Sequence, residues 1–209
     1  MTPLCSAALL VAATLPTAQA ETPVESGWVL SKIARPAPMR TRFVEIRSSD
    51  YLKTPMRIFG EYSRPDNSTL VRKVTSPYAE VTQLSGSSAT ITRGGKSRTF
   101  SLNRVPELAN MQSSFGALLR GDESSVRRDF DIKSKGTREK WNLLMTPKNA
   151  ALAKQIASIN LYGSGAELRC IETQPKGNSH IQRTLLASAA ASVKPQTTEA
   201  GLLATCHGK

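Results

Sequence analysis

Short runs of alternating apolar and polar residues fill the chain from residue 39 to residue 102. Pro, Gly, Asn and Ser separate these runs, and none of them shows the three- and four-residue spacing of an amphipathic helix. The pattern predicts six strands, at residues 39–48, 56–63, 70–75, 78–84, 89–93 and 98–102. The Gly94-Gly95 pair between the last two is typical of a tight hairpin turn. A meander of antiparallel strands is therefore expected.

One long amphipathic helix interrupts the strands, at residues 105–120. Pro106 suits its first turn, and Gly121 suits its end. Its apolar stripe has members at three- and four-residue steps: Leu108, Met111, Phe115, Leu118 and Leu119. The concave side of a twisted sheet is the simplest place to bury this stripe, and the helix would then cover a cavity. The alternative is an ordinary core helix packed without a cavity.

Further strands follow that helix. Asp122 is a plausible N-cap for a short helix to Val126, and other short helices are predicted at residues 27–34 and 147–154. The later strands are predicted at residues 130–134, 141–145, 156–162, 167–173 and 180–186. The fold class is α+β and mainly β. From Ala187 onward the sequence has no clear period, so residues 188–209 are predicted to be a loosely ordered tail.

The first twenty residues are typical of an export signal. An apolar stretch at residues 4–15 is too short to span a membrane, and Ala18-Gln19-Ala20 is a small-residue cleavage site just before Glu21. We therefore expect a cleaved signal peptide at residues 1–20, a folded domain at residues 21–187, and a periplasmic location. The alternative for the first segment is an N-terminal core helix.

Two cysteines, Cys170 and Cys206, follow the predicted signal peptide. An even pair in an oxidising compartment favours a disulfide. The other interpretation is that Cys170 is an ordinary buried thiol within a strand. The sequence alone leaves both open.

The formal net charge is +12, and no charged side chain precedes Glu21. Such a surplus indicates an anionic partner, and for an exported protein a transient contact with an anionic membrane surface is the first choice. Nucleic acid is disfavoured, because the cations are scattered and aromatic residues make up only 5% of the chain, too few for a stacking platform. A merely solvated surface is the alternative.

The sequence offers no catalytic or metal motif that we recognise. His180 and His207 are its only histidines, and neither has a metal-ligand partner at a suitable spacing. The serines in Gly86-Ser87-Ser88 and Gly163-Ser164-Gly165 do not form a nucleophile elbow and are better read as turn residues. We therefore expect no enzyme activity, no cofactor and no metal.

Packing and turn residues in a recurring order carry a resemblance to a known family. They are Phe43 to Arg47, Thr54-Pro55-Met56, Gly60, Ser76-Pro77, Glu80, Val81, Ala117 to Asp122, Trp141-Asn142-Leu143, Pro147, Ile156 to Gly163, and Gly177. In this order the chain resembles the LolA-like periplasmic carriers of outer-membrane lipoproteins, in particular their divergent lipid-associated branch. The resemblance covers most of the chain after the predicted signal peptide.

The resemblance implies an unclosed antiparallel β-barrel, a half-pipe of about eleven strands with a helical lid over an apolar cavity. It also implies an acylated lipoprotein or lipid as cargo, an extracting transporter at the inner membrane and an acceptor at the outer membrane. In the carriers of this family, an arginine just before a proline ties the barrel to the lid. Arg64, which precedes Pro65, is the local counterpart. A solvated turn residue is its alternative role.

Strand alternation indicates which side chains point into the cavity. On the strands they are Phe43, Met56, Ile58, Val81 and Ile91, and on the predicted lid they are Met111, Phe115 and Leu118. A register error of one residue would exchange the two faces of a strand. Methionine suits such a site because its flexible side chain adapts to different tails.

The leading hypothesis is a noncatalytic periplasmic carrier of acyl chains, which moves its cargo towards the outer membrane. The alternative is a periplasmic sensor or assembly protein that uses the same fold to bind a protein partner. A hydrolase is the third hypothesis.

Overall fold

A computed structural model describes residues 23–102, 118–119, 121–177 and 180–208. The predicted signal peptide and most of the predicted helix at residues 105–120 lie outside the described residues. The strands are β1 (Met39–Arg47), β2 (Met56–Arg64), β3 (Thr69–Ser76), β4 (Glu80–Ser85), β5 (Ser88–Arg93), β6 (Lys96–Ser101), β7 (Phe130–Gly136), β8 (Trp141–Pro147), β9 (Ile156–Ser164), β10 (Glu167–Pro175) and β11 (Gln182–Leu186). The helices are α1 (Ser26–Ile33), α2 (Glu123–Asp129), α3 (Ala150–Ala153), α4 (Ala187–Ser192) and α5 (Glu199–His207).

All eleven strands join one antiparallel sheet. Its order is β6-β5-β4-β3-β2-β1-β11-β10-β9-β8-β7, so that the first and last strands of the chain, β1 and β11, meet in the middle. The two ends of the sheet, β6 and β7, do not pair with each other in this order. The structure thus confirms a mainly β fold built on an unclosed antiparallel sheet.

Alternation along the strands gives the sheet two faces, each with its own core. The Phe43 face carries Phe43 of β1 and Leu161 of β9, and it packs against α1, α2 and α3. The Val44 face carries Val44 and Ile46 of β1 with Leu185 of β11, and it packs against α4 and α5. The central strands are therefore buried on both sides.

Local turn and cap chemistry agrees with the sequence at two places. Gly94 and Gly95 form the two-residue turn between β5 and β6 with φ values of +56° and +75°, which residues with a Cβ rarely adopt. Asp122 caps α2, because its carboxylate accepts a hydrogen bond from the amide of Ser125. These residues thus have structural roles.

The prediction of a loosely ordered tail at residues 188–209 is wrong. This segment contains most of α4 and all of α5, and Ala189, Ala190, Leu202 and Cys206 are buried against the Val44 face. Small alanine side chains allow close packing on a sheet without a conspicuous apolar stripe, which is why periodicity did not reveal these helices.

Among the residues that the structure describes, none of the helices has the length and hydropathy needed to cross a lipid bilayer.

Candidate functional site

Phe43 is the central aromatic side chain of the Phe43 face of the sheet. Its ring is 1% exposed and lies over Gly60 of the neighbouring strand, where a Cβ atom would come within 2.7 Å of the ring. Tyr62 packs against the same ring, with 4.6 Å between centroids. A side chain at position 60 would therefore clash with the Phe43 ring, so the packing of Phe43 requires glycine there.

Four of the predicted cavity residues share the Phe43 face. Phe43 and Ile58 are fully buried, whereas Met56 is 37% exposed and Ile91 is half-buried. Leu118, at the end of the predicted lid helix, is buried in the same core cluster. Met111 and Phe115 lie outside the described residues, so their assignment to the cavity stays a prediction.

The assignment of Val81 to the cavity is wrong, because Val81 lies on the opposite face of the sheet. Its cross-strand partners are Lys73 and Thr92, whereas the Phe43 face of β4 carries Glu80, Thr82 and Leu84. Leu84 fixes this parity, since it is buried opposite Leu70 and Ala89. The register, which depends on the neighbouring strands, therefore reverses the assignment made from the strand alone.

Arg64 is buried rather than solvated, with 3% of its surface exposed at the end of β2. Its Nη1 donates a hydrogen bond of 2.6 Å to the carbonyl of Arg35, just after α1. The amide of Arg35 in turn donates to the carbonyl of Leu119, at 2.8 Å. A chain of contacts thus connects strand β2, through the segment after α1, to the end of the predicted lid helix.

The topology also determines what the segment between β6 and β7 must do. These strands are the two ends of the sheet, and they are consecutive in the sequence. Ser101 therefore ends the strand at one end of the sheet, and Phe130 begins the strand at the other end. At its far end, Gly121 is packed so closely on α1 that a Cβ atom would lie 2.9 Å from the Ala34 side chain.

A buried carboxylate on the Phe43 face was not predicted from the sequence. Glu45 is 1% exposed and accepts hydrogen bonds from Arg72, at 2.7 Å, from Gln182, at 2.8 Å, and from Arg47. Burial, followed by the charge of Glu45, raises the pKa of the Tyr62 hydroxyl. The donors come from three strands, so no local sequence pattern could have identified this network.

The Val44 face is held by a Cys170–Cys206 disulfide, with 5.1 Å between the Cα atoms, which joins β10 to α5. Beside it, buried Glu172 accepts hydrogen bonds from Arg183 at 2.6 Å and from the Tyr162 hydroxyl at 3.1 Å, and His207 lies 3.2 Å away. Burial, followed by the Glu172 charge, raises the pKa of Tyr162 to about 12. The terminal helix is thus fixed both covalently and by polar contacts.

Glu172, Cys206 and His207 place potential metal-ligand atoms within 4.8 Å of one another. They do not form a good metal site, because the sulfur of Cys206 is in the disulfide and Glu172 is already occupied by Arg183 and Tyr162. A metal role for His207 therefore finds no support in its surroundings.

Two grooves, of about 400 and 460 Å³, lie beside α5. The first is lined by residues such as Trp141, Tyr162 and His207, and the second by Ile46, Pro55, Arg57, Pro195 and Leu202, among others. Of the predicted cavity residues that the structure describes, none lines either groove. These grooves therefore differ from the predicted cargo site.

The chain was compared with curated proteins and with solved structures. No curated protein matches the chain. Among solved structures, a LolA superfamily protein from Nitrosomonas europaea is 9% identical, covers 79% of this chain and 92% of its own, and has a TM-score of 0.41. LprF from Mycobacterium bovis is 12% identical, covers 80% of this chain and 94% of its own, and has a TM-score of 0.35. These scores are too low to carry an argument.

A family profile described as outer membrane lipoprotein carrier protein LolA-like matches residues 18–209. Because this match spans most of the 209 residues, the chain belongs to the LolA-like family of outer membrane lipoprotein carrier proteins.

Proposed function

We propose that the protein is a noncatalytic periplasmic carrier, which binds the acyl chains of a lipoprotein or another lipid and carries them towards the outer membrane. Membership of the LolA-like family supports a fold that binds lipid or lipoprotein. The proposed partners are an inner-membrane transporter that extracts the cargo, an outer-membrane acceptor and, transiently, an anionic membrane surface.

The observation that carries this proposal is that the described helices cover only part of the Phe43 face. The described helices on this face pack against β7 to β10, whereas Met56 of β2 and Ile91 of β5 keep accessible apolar surface. Hiding a methylene group from water is worth about 0.8 kcal/mol, so an acyl chain on this surface would be strongly retained. The segment that joins β6 to β7 is the proposed lid.

The test is native mass spectrometry of protein purified from the periplasm. Copurified lipid or lipoprotein supports the proposal, whereas a stoichiometric protein partner without lipid supports the sensor or assembly alternative. The Phe115→Asp variant, which places a charge on the apolar stripe of the predicted lid, should lose its cargo and keep a folded sheet.

Phe115→Leu is the matched control, because it keeps the stripe apolar and should retain cargo. Full retention by Phe115→Asp would contradict the lid assignment. Global unfolding of that variant, seen by circular dichroism, would favour a packed core helix over a lid.

A further inference from the structure

Charge is unevenly distributed over the Phe43 face. At their paired positions, β7 to β11 place no charged residue on this face, and its members there include Ile132, Leu143, Ile159 and Ile171. Strands β1 to β6 place two acids, Glu45 and Glu80, and six cations on it. The cations are Arg47, Arg64, Arg72, Arg93, Lys96 and Arg98.

Three of these cations lie together on the β5–β6 hairpin. Arg93 is directly opposite Lys96, and Arg98 is two residues further along the same face. The Arg93 side chain is 61% exposed, and its guanidinium lies 4.4 Å from the centre of the Tyr78 ring. A cation that stacks on an aromatic ring is partly preorganised and still accessible to a ligand.

The acids near this group leave the arginines with donor capacity. The carboxylate of Glu80 lies 3.9 Å from both Arg72 and Arg93, which is longer than a hydrogen bond. Each guanidinium carries five N–H donors in a planar fork that matches phosphate and carboxylate groups. An anion between Arg93 and Arg98 can therefore receive hydrogen bonds that Glu80 does not take.

Apolar surface lies directly beside these cations. Ile91 pairs with Arg98 across β5 and β6, and on its other side with Thr82. Neighbouring strands are about 4.8 Å apart, so a headgroup at Arg98 would be within a few ångströms of a tail on Ile91. This juxtaposition fits an amphiphile better than a free ion.

We propose that the cargo is an acidic amphiphile, whose phosphate or carboxylate headgroup binds Arg93 and Arg98 while its tail lies on the neighbouring Ile91. This inference rests on the proposed function, and it adds a class of substrate. A purely apolar carrier surface would gain nothing from the three exposed cations of the β5–β6 hairpin, because each must remain hydrated or paired.

The test compares three fluorescent lipids with identical acyl chains: phosphatidylglycerol, phosphatidylcholine and diacylglycerol. We expect the full chain to bind phosphatidylglycerol about tenfold more tightly than the other two, as a charge-assisted contact with one arginine pair allows. In the Arg93→Gln/Arg98→Gln variant this preference should largely disappear, whereas diacylglycerol binding should not change.

The matched control is Arg42→Gln/Lys73→Gln, which removes the same charge from two exposed side chains of the Val44 face. If this control loses the preference to the same extent, the effect comes from net charge and the inference is wrong. Thermal melting of both variants should match that of the parent protein, because all four side chains are accessible or at the sheet edge.

The remaining outcomes separate the two proposals. Equal binding of all three lipids overturns the headgroup site and leaves the carrier function standing. If none of the lipids binds, the carrier function itself fails. If inorganic phosphate alone binds as tightly as phosphatidylglycerol, and depends equally on Arg93 and Arg98, the site recognises a free anion and not a lipid headgroup.

Discussion

The two faces of the sheet are covered by different kinds of attachment. On the Val44 face, α5 is tied to β10 by the Cys170–Cys206 disulfide and by the contacts of Glu172. On the Phe43 face, the end of the predicted lid is held through Arg35 by hydrogen bonds to Arg64 and Leu119. A covalent link does not open in a binding cycle, whereas hydrogen bonds can break and re-form. From the contacts of the described residues, we therefore expect the Phe43 face, and not the Val44 face, to be the one that opens.

The largest expected effect is on the covalently held face. Cys206→Ser removes a link that spans 36 residues, and we expect the free energy of unfolding to fall by about 4 kcal/mol. Urea denaturation in non-reducing buffer measures it. Cys170→Ser and the double variant should lose the same amount, because either single change removes the whole bridge. A cost below about 1 kcal/mol would show that polar contacts alone hold α5.

The next effect concerns the hydrogen-bonded face. Arg64→Met keeps most of the side-chain volume and removes the donor to Arg35, so stability should fall by about 2 kcal/mol, as expected for a buried hydrogen bond from a charged group. Release of bound fluorescent lipid should also become faster. Arg42→Met is the control, since Arg42 is exposed on the other face. An unchanged release rate would show that the Arg64–Arg35 hydrogen bond does not control opening of the cargo site.

A pair of neighbouring strands sharpens the contrast between the faces. Ile91→Asn and Val81→Asn are similar changes on adjacent strands, at half-buried positions that point to opposite faces. We expect the change at Ile91 to weaken lipid binding about tenfold, because contact with an isoleucine side chain is worth about 1.5 kcal/mol or more. Val81→Asn should not alter binding. Equal losses at both positions would contradict the assignment of cargo to the Phe43 face.

The smallest expected effect is the pH dependence of Tyr162. Its pKa is raised to about 12, so the stabilisation from its protonated form is complete below the unfolded value of about 10 and is lost as the pH rises towards 12. Because the pKa of Tyr62 is raised as well, tyrosinate absorbance is measured in a Tyr62→Phe background, where Tyr162→Phe should remove the late transition and Tyr51→Phe, at a fully accessible site, should not. If Tyr162→Phe leaves the late transition intact in that background, the Tyr162 hydroxyl is not held by Glu172.

The meander of strands could be predicted from the sequence, whereas the two C-terminal helices could not be found from periodicity. A meander is built from strands adjacent in sequence, and its turns contain recognisable residues such as Gly94-Gly95. One of the two later helices, α5, also left local signs. Thr198 caps α5, Glu199 lies in its first turn, and Gly208 ends it with φ of +66°. A search for caps would have found α5 where periodicity did not.

The candidate site could be predicted only in part. Alternation placed Phe43, Ile58 and Ile91 on one face, but it could not give the parity of Val81, which depends on Lys73 and Thr92 across the sheet. Long-range partners were also hidden. Nothing in the sequence near Glu45 indicates that Arg72 and Gln182 from other strands bind it, because such pairs form only when the sheet is assembled.

The strands at the two ends of the sheet have one more consequence, for solubility. An end strand exposes backbone donors and acceptors that can template aggregation with a second molecule. Here β6 carries Lys96 and Arg98, and β7 carries Lys133 and Lys135. When two molecules approach through these end strands, their positive charges come close together and repel. We therefore expect part of the large positive charge to protect against fibre formation, which a sheet that closed on itself would not need.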